Sequence, residues 1–141
     1  MTYSVLLFTY RKPGTTPSQF KSHYEMQHMP LVRSLAGATF PLSHTRRYLH
    51  RSEHPDGTTT TTTTTARNRL TPATVLIGSQ EDLDYDAFGE LTFKNEAAFQ
   101  SSFARFREPG IQVKLAADEE MFLDRARSSV VTLGDVTVTR K

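Results

Sequence analysis

The chain has 141 residues, a formal net charge of +2, and neither cysteine nor tryptophan. This length fits one domain, spanning 1–141, with a core of its own. The lack of cysteine excludes disulfides and thiolate metal sites. The short basic stretches lie too far apart to predict a nucleic-acid surface. The N-terminal apolar run is too short for a signal peptide or a membrane span, so we expect a soluble, cytoplasmic protein.

The first predicted element is a strand over residues 2–10, which is rich in Tyr, Val and Phe and ends in the turn cluster RKPGTTP. A helix follows this turn. Thr16 is its expected N-cap, Pro17 suits its first position, and Gln19 completes a capping box. Apolar residues at helical spacing predict that the helix continues to about Leu35.

The second half of this helix, HYEMQHMPLVRSL (23–35), carries two histidines and Pro30, where a kink is expected. His23 and His28 are five residues apart. Zinc-binding helices place paired histidines four apart, so this spacing argues against a metal site. His23 shares a face with Gln27 and is expected to be a solvated surface residue.

In the middle of the chain, the character of the side chains alternates from one residue to the next, which predicts a second strand over 41–53. Residues 54–72 contain an Asp-Gly turn followed by eight consecutive threonines, Thr58 to Thr65. This low-complexity composition predicts a flexible surface loop. The apolar run 73–78 fits either a minor strand or a lid over the sheet. One face of the second strand carries Leu42, His44, Arg46, Tyr48 and His50.

The second half of the chain repeats the pattern of strand and helix. A strand is predicted over 85–93, and a helix capped by Asn95 over 95–108. Pro109 and Gly110 break this helix, and residues 111–124 are again helical. An alternating last strand covers 128–141.

The element order is therefore β-α-β-β-α-β, which predicts an α+β, ferredoxin-like fold with a four-stranded antiparallel sheet. Helices cover one face of such a sheet. The first strand is apolar on both of its faces, so the second sheet face is unsuited to water. Two copies that meet through this face would form a barrel-like homodimer.

Three segments resemble the EthD-domain family. The first 35 residues contain its strand, its Lys-Pro-Gly turn and a helix with a His-x-Pro-Leu element. YDAFGELTFKNEAAFQSSFA is similar to its second half, and AADEEMFLD is similar to its Asp-Glu-x-x-Phe close. FPLSHTRRYLHR together with TVLIG resembles EthD-like proteins of fungal origin. The resemblance covers nearly the whole chain, apart from about 51–80 and the last strand.

This resemblance implies a dimeric α+β barrel with a small-molecule pocket between sheet and helices, and neither organic cofactor nor metal. Members in aromatic polyketide pathways act as decarboxylases, cyclases or related lyases. Relatives on the same barrel are cofactor-free monooxygenases or isomerases. Because one fold hosts many reactions, the resemblance implies the fold more strongly than the reaction.

His28 is the first candidate for catalysis because it matches the histidine of the His-x-Pro-Leu element. It follows Phe20 and Tyr24 at intervals of four, so the three share one helix face. A partly buried imidazole can give or take a proton near neutral pH. The alternative is a core histidine that binds a backbone carbonyl.

The face of the second strand offers further polar candidates. If it lines the pocket, Arg46 can bind a substrate carboxylate or enolate, Tyr48 can donate to an oxyanion, and His44 can contact the substrate. If the face is instead exposed, these residues are ordinary surface charges. Arg47 is the alternative cation if the register is opposite.

The third strand supplies two candidate carboxylates, Asp86 and Glu90, either of which could orient His28 and raise its basicity. The alternative is a structural ion pair with an arginine of a neighbouring strand. Near the C-terminal end of the last helix, Phe122 is expected to be buried and its acidic neighbours solvated. The predicted aromatic substrate pocket consists of Phe8, Tyr10, Tyr24 and Phe88.

Together these residues predict an enzyme that needs no cofactor and acts on a small aromatic or polyketide-like substrate. The expected chemistry is proton transfer next to a carbonyl, leading to decarboxylation, cyclisation or dehydration. One alternative is an oxygenase in which a substrate carbanion reacts with oxygen. Another is a non-catalytic small-molecule carrier or accessory subunit. The expected partners are a small-molecule substrate and a second copy of the chain.

Overall fold

A four-stranded antiparallel sheet with helices against one face forms the protein, and the computed structural model describes its residues 1–53 and 64–141. The predicted α+β, ferredoxin-like architecture is confirmed. The strands lie in the order β2-β3-β1-β4. They are β1 (Tyr3–Thr9), β2 (Ser43–Tyr48), β3 (Ala87–Phe93) and β4 (Ser129–Thr132). The helices are α1 (Pro17–His23), α2 (Met29–Ala36), α3 (Glu96–Phe106) and α4 (Pro109–Glu119).

Helices α1 and α3 begin directly after the capping residues predicted from the sequence, Thr16 and Asn95. The Thr16 side chain accepts from the Gln19 amide, and the Gln19 side chain accepts from the Thr16 amide, so the capping box is present. The Asn95 side chain caps α3 by accepting from the Ala98 amide at 2.9 Å. Pro109 does more than break the preceding helix, because it is the first residue of α4.

A five-residue π-helical turn, Tyr24–His28, separates α1 from α2. The Met29 amide donates to the Tyr24 carbonyl, five residues earlier, instead of the usual four. Pro30 follows at once and has no amide hydrogen to donate. The predicted irregularity near Pro30 is therefore a widened turn just before the proline, and it changes which side chains share a face.

The strand register decides which side chains point toward the helices. Val5 and Thr9 of β1 are buried under the helices, and alternate residues along a strand share a face. On β3, the residues paired with the helix-facing side of β1 are Leu91, Gly89 and Ala87. These three pair in turn with His44, Arg46 and Tyr48 of β2, which therefore face the helices as well. The polar face of β2 thus points into the layer between sheet and helices.

The core lies where α1 and the π-helical turn meet the sheet and the segment after α4. Its fully or nearly enclosed members are Phe20, Tyr24, Ala87, Phe122 and Leu123. Phe122 is buried as predicted, with 1% of its surface exposed. Rings of this size contribute much of the burial, at about 1.5–3 kcal/mol for each buried side chain.

The last strand is much shorter than the predicted 128–141. β4 pairs with Val5–Phe8 of β1, and one further bond joins the Leu133 amide to the Ser4 carbonyl. β1 begins at Tyr3, so the chain runs past the end of its partner. Residues 133–141 are exposed and form no strand, despite their alternating valines.

The predicted Thr-rich loop is described only in part. Residues 54–63 lie outside the described residues, and with them most of the threonine run. Residues 64–72 pack against the domain through Asn68, which is 1% exposed and bonds to Arg11 and Asp84. The segment 73–78 contributes one bridge, Ala73 to Arg51, and no strand. Across the described residues, each helix falls short of the length and apolarity that a bilayer span needs.

Candidate active site

A cleft of about 300 Å³ opens between the sheet and the π-helical turn. Its apolar wall includes Leu7 of β1, Val130 of β4 and Leu123 after α4. The polar wall includes Tyr24, His28, Glu119 and Arg125. A larger depression of about 860 Å³ lies beside Tyr10 and Arg67. That depression borders the undescribed segment, and no histidine among the described residues lines it, so we place the candidate site in the smaller cleft.

His28 reaches this cleft with its orientation fixed by a carboxylate. Its Nδ1 lies 2.6 Å from Oδ2 of Asp118, and the Nε2 atom of His23 lies 2.9 Å from Oδ1 of the same residue. Both rings pack on Phe122, with centroid distances of 4.9 Å and 4.6 Å. One largely enclosed acid, Asp118, therefore joins two histidines that the sequence had appeared to separate.

The expectation that His23 is solvated is wrong. In a regular helix, residues five apart point about 140° away from each other. The π-helical turn removes much of this angle, because its hydrogen bonds join residues five apart. The side chain of His23 is only 14% exposed and faces Asp118. The acidic side chain of Asp118, also expected to be solvated, is 13% exposed.

Burial governs the protonation of His28. Desolvation lowers its pKa below the ordinary 6.5, and the hydrogen bond to Asp118 opposes this by raising it. The ring is therefore neutral at pH 7. An ionised carboxylate only accepts hydrogen bonds, so Nδ1 carries the hydrogen and Nε2 is left as the basic atom. Nε2 has no hydrogen-bond partner in 1–53 or 64–141.

Tyr24 places a phenol beside this imidazole. Its ring is 3% exposed and meets the His28 ring edge-on at a centroid distance of 5.4 Å. Burial raises the pKa of Tyr24 far above its ordinary value of 10, so the hydroxyl stays protonated. The hydroxyl makes no hydrogen bond within the described part of the chain. It is therefore a hydrogen-bond donor available to a ligand in the cleft.

Arg46 and Tyr48 point toward the helices, where both bind Glu25. The guanidinium donates twice to this carboxylate, at 2.6 Å and 2.7 Å, and the Tyr48 hydroxyl donates at 2.5 Å. These bonds lower the pKa of Glu25 to about 2, chiefly through Arg46. Both donors are thus engaged by the protein itself.

His44 lies on the same side of the sheet and packs against Gly89. A Cβ atom at residue 89 would stand 3.0 Å from the His44 Nε2 atom, so glycine makes room for the ring. Burial, reinforced by the charge of Arg46, lowers the pKa of His44 to about 4. Its Nε2 is enclosed and has no hydrogen-bond partner among the described residues. His44 is therefore a neutral packing residue beside Tyr24, and it is not part of the cleft lining as its predicted contact with the substrate would require.

The two carboxylates of the third strand do not lie beside His28. Glu90 is exposed and pairs with Leu6 and Thr45, whose side chains point to the sheet face without helices. Strand alternation puts it on the opposite side from His28. The site geometry therefore corrects its expected role as the residue that orients the imidazole.

Asp86 lies in a separate buried cluster of arginines. Its Oδ1 is 2.5 Å from Arg11 Nη1 and 3.0 Å from Arg51 Nε, and its Oδ2 is 3.2 Å from Arg67 Nη1. The alternative interpretation, a structural ion pair, describes this geometry. Asp86 precedes β3 and packs against the end of β1, so it is not the carboxylate that bonds to His28.

The predicted aromatic pocket is divided between the two faces of the sheet. Tyr24 lines the cleft, and β1 brings Phe8 to its edge. Phe8 and Phe88 are directly paired on the face without helices, where the Phe8 ring lies 5.0 Å from that of Tyr85. Tyr10 lies 6.3 Å from the same tyrosine and under the guanidinium of Arg67. These three side chains therefore form a second aromatic group.

Two residues of the site carry no local sequence signal. Asp118 is 90 positions from His28, and Glu25 is 21 positions from Arg46. Such pairs depend on how elements pack, which periodicity does not encode. The Asp-Glu-x-x-Phe segment was the one available hint, since it places Asp118 close to the buried Phe122.

The histidines and acids do not form an evident metal site. Within residues 1–53 and 64–141, no group of three or more His, Cys, Asp or Glu side chains is arranged to hold a metal ion. The cluster of His23, His28 and Asp118 is held together by hydrogen bonds instead.

A family model described as EthD domain matches residues 12–126, which is most of the chain. The chain belongs to the EthD family. The match includes both histidines, Asp118 and all of the arginines that contact Asp86 except Arg11. A search of curated proteins finds no significant match.

Three solved structures are similar to this chain, and the two with TM-scores above 0.5 share its fold. A crystal structure of an EthD family protein from Bacillus halodurans superimposes with a TM-score of 0.53 at 13% identity, covering 96% of this chain and 100% of that one. At3g17210 from Arabidopsis thaliana gives 0.51 at 13% identity, covering 98% and 99%. SnoaB, a cofactor-independent oxygenase from Streptomyces nogalater, gives 0.48 at 14% identity, covering 99% and 97%.

Proposed function

We propose that this EthD protein is a cofactor-independent enzyme that moves a proton next to a carbonyl group of a small aromatic or polyketide-like substrate. The observation that carries the proposal is the bond from His28 Nδ1 to Asp118 at 2.6 Å. It leaves the other ring nitrogen as a base at the wall of the cleft. Cyclisation and dehydration begin with this proton transfer, whereas decarboxylation ends with the reverse transfer, which protonates the carbon beside the carbonyl after carbon dioxide has left.

In the proposed mechanism, His28 Nε2 takes a proton from the carbon beside the carbonyl. The Asp118 carboxylate stabilises the imidazolium that forms. Tyr24 donates a hydrogen bond to the oxygen on which the enolate charge develops, since its raised pKa keeps the hydroxyl protonated. His28 then returns the proton to the product.

Arg46 and Tyr48, the residues first expected to stabilise the enolate, receive a different proposed role. Both bind Glu25, which belongs to the π-helical turn. These bonds tie the turn to β2 and hold Tyr24 and His28 over the sheet. Arg46 and Tyr48 then position the catalytic wall, while Tyr24 contacts the reacting oxygen.

The proposal predicts a specific pH dependence. With 2-tetralone as a carbon acid in D₂O, ¹H NMR should detect deuterium exchange beside the carbonyl, faster than with free imidazole at the same concentration. The base must be neutral, so kcat/KM should rise with pH through the pKa of His28. Because burial lowers that pKa, the rise should be half complete below pH 6.5.

Besides burial, three charged or titratable groups act on the pKa of this ring: Asp118 raises it, and His23 and Arg46 lower it. A rise centred above pH 6.5, or exchange no faster than with imidazole, would count against His28 as the base. Tight binding of 2-tetralone without exchange would instead support a carrier. Oxygen uptake during exchange would favour the oxygenase alternative.

We also propose a homodimer formed through the sheet face without helices. Apolar Leu6, Phe8 and Val131 lie on this face, and Val131 is 49% exposed. Arg47 and Glu90 are exposed there on neighbouring strands, so a two-fold axis can bring opposite charges together. A helix-covered sheet that leaves its other face apolar favours association.

Leu6→Glu is expected to disrupt this dimer. The substitution puts a carboxylate beside Glu90 in a surface that association would bury, and should weaken the dimer at least about 100-fold. Light scattering should give twice the 15.9 kDa chain mass for the wild type and a single chain mass for the variant. Val113→Glu, which changes an exposed apolar residue of α4, is the control and should remain dimeric. A monomeric wild type would contradict the proposal.

A further inference from the structure

The second histidine of the cluster has no role in the mechanism above. His23 is not part of the cleft lining, yet its side chain is 14% exposed and its Nε2 lies 2.9 Å from Asp118. The Asp118 carboxylate thus has one oxygen on each histidine. A buried polar arrangement of this kind restricts the carboxylate to a single orientation.

We propose that His23 is a positioning residue for His28 and that it acts through Asp118. This inference rests on the proposed role of His28 as a base. His23 Nε2–H binds Oδ1 and fixes the plane of the carboxylate. Oδ2 is then directed at His28 Nδ1, so the proton stays on Nδ1 and Nε2 remains basic.

The location of Asp118 makes this second donor necessary. Asp118 is the next-to-last residue of α4, where the backbone carbonyls give the helix end a partial negative charge. A carboxylate is disfavoured there. It is also only 13% exposed, so water can solvate it little. Two N–H donors compensate for this environment, and the loss of one leaves the Asp118 carboxylate free to rotate.

The packing supports a defined geometry for the whole cluster. The ring of His23 stacks on Phe122 with a 4.6 Å centroid distance and a 23° interplanar angle. His28 also contacts Phe122, with a centroid distance of 4.9 Å and an interplanar angle of 53°. Both imidazoles therefore pack on one buried phenyl ring, and the π-helical turn brings them to the same side.

Two variants separate the hydrogen bond of His23 from its packing. His23→Phe keeps an aromatic ring on Phe122 but has no donor. His23→Gln loses the ring, while its amide can place an N–H near the position of Nε2. If His23 acts through the bond, His23→Phe should lower kcat for 2-tetralone exchange about 10-fold with little change in KM, in the range known for residues that orient functional ligands. His23→Gln should lower it less than threefold.

¹⁵N NMR of the imidazole nitrogens gives a readout that does not depend on turnover. His28 should be a single Nδ1–H tautomer in the wild type and in His23→Gln, and a mixture of tautomers in His23→Phe. An unchanged His28 tautomer in His23→Phe would overturn the inference. If the tautomer changes as expected but His28→Ala retains full exchange activity, the positioning stands and the proposed catalytic function fails.

Discussion

His28→Ala is expected to lower kcat for 2-tetralone exchange by about 10²–10⁴-fold, the usual contribution of a positioned general base. Removal of the imidazole takes away a cleft-lining base whose orientation is set by the Asp118 carboxylate. The KM should change much less, because the proposal gives His28 little part in holding the substrate. NMR exchange rates over a series of 2-tetralone concentrations measure both constants.

Loss of packing must be separated from loss of the base, since His28 is 8% exposed and contacts Tyr24 and Phe122. His28→Asn retains an amide that can donate to Asp118 but has no basic nitrogen, and should be as inactive as the alanine variant. His50→Ala, which removes an exposed histidine bonded to Thr74, should keep wild-type rates. Exchange within threefold of the wild type in both His28 variants would refute the mechanism.

Asp86→Ala is expected to destabilise the fold by about 3–5 kcal/mol, because it leaves buried arginines without their shared counter-charge. The side chains of Asp86 and Arg51 are 3% and 1% exposed. Asp86 also accepts from the Arg11 backbone amide at 2.7 Å. A domain of this kind has roughly 5–15 kcal/mol of stability, so the loss should shift the urea midpoint strongly.

The same variant distinguishes a structural role from the catalytic role first expected for Asp86. The folded fraction should show nearly wild-type exchange per molecule. Asp86→Asn, which keeps an acceptor oxygen, should lose less stability and offers a folded sample if the alanine variant does not fold. Asp82→Ala, at an exposed position, is the control and should stay within about 0.5 kcal/mol of the wild type. A stable but inactive Asp86 variant would restore the catalytic interpretation.

Much of the fold could be predicted because its signals are local. The Thr16–Gln19 capping box and the Asn95 cap each depend on neighbours three residues away. The alternation along β2 correctly grouped His44, Arg46 and Tyr48. The pairing of β2 with β3 decides which face of the sheet these three residues occupy. Alternation within one strand does not show which of the two faces points toward the helices.

The candidate site was harder to predict because its pairs are long-range. The structure places Tyr24 and His28 together as expected, but the carboxylate that binds His28 comes from α4 instead of from β3. The carboxylate that binds Arg46 is Glu25, which belongs to the π-helical turn. The predicted solvation of His23 failed for a local reason: helical spacing was assumed to be regular through residue 28.

The π-helical turn makes this segment sensitive to its exact length. It holds one residue more than a regular helical turn, so deletion of a single residue between 24 and 28 would allow a continuous α-helix. Every side chain on one flank would then rotate by about 100° relative to the other flank. Substitutions of the surface residues here can be tolerated, whereas a change of register would part the two histidines. An alignment of family members should therefore treat a gap at this position as a change of site architecture.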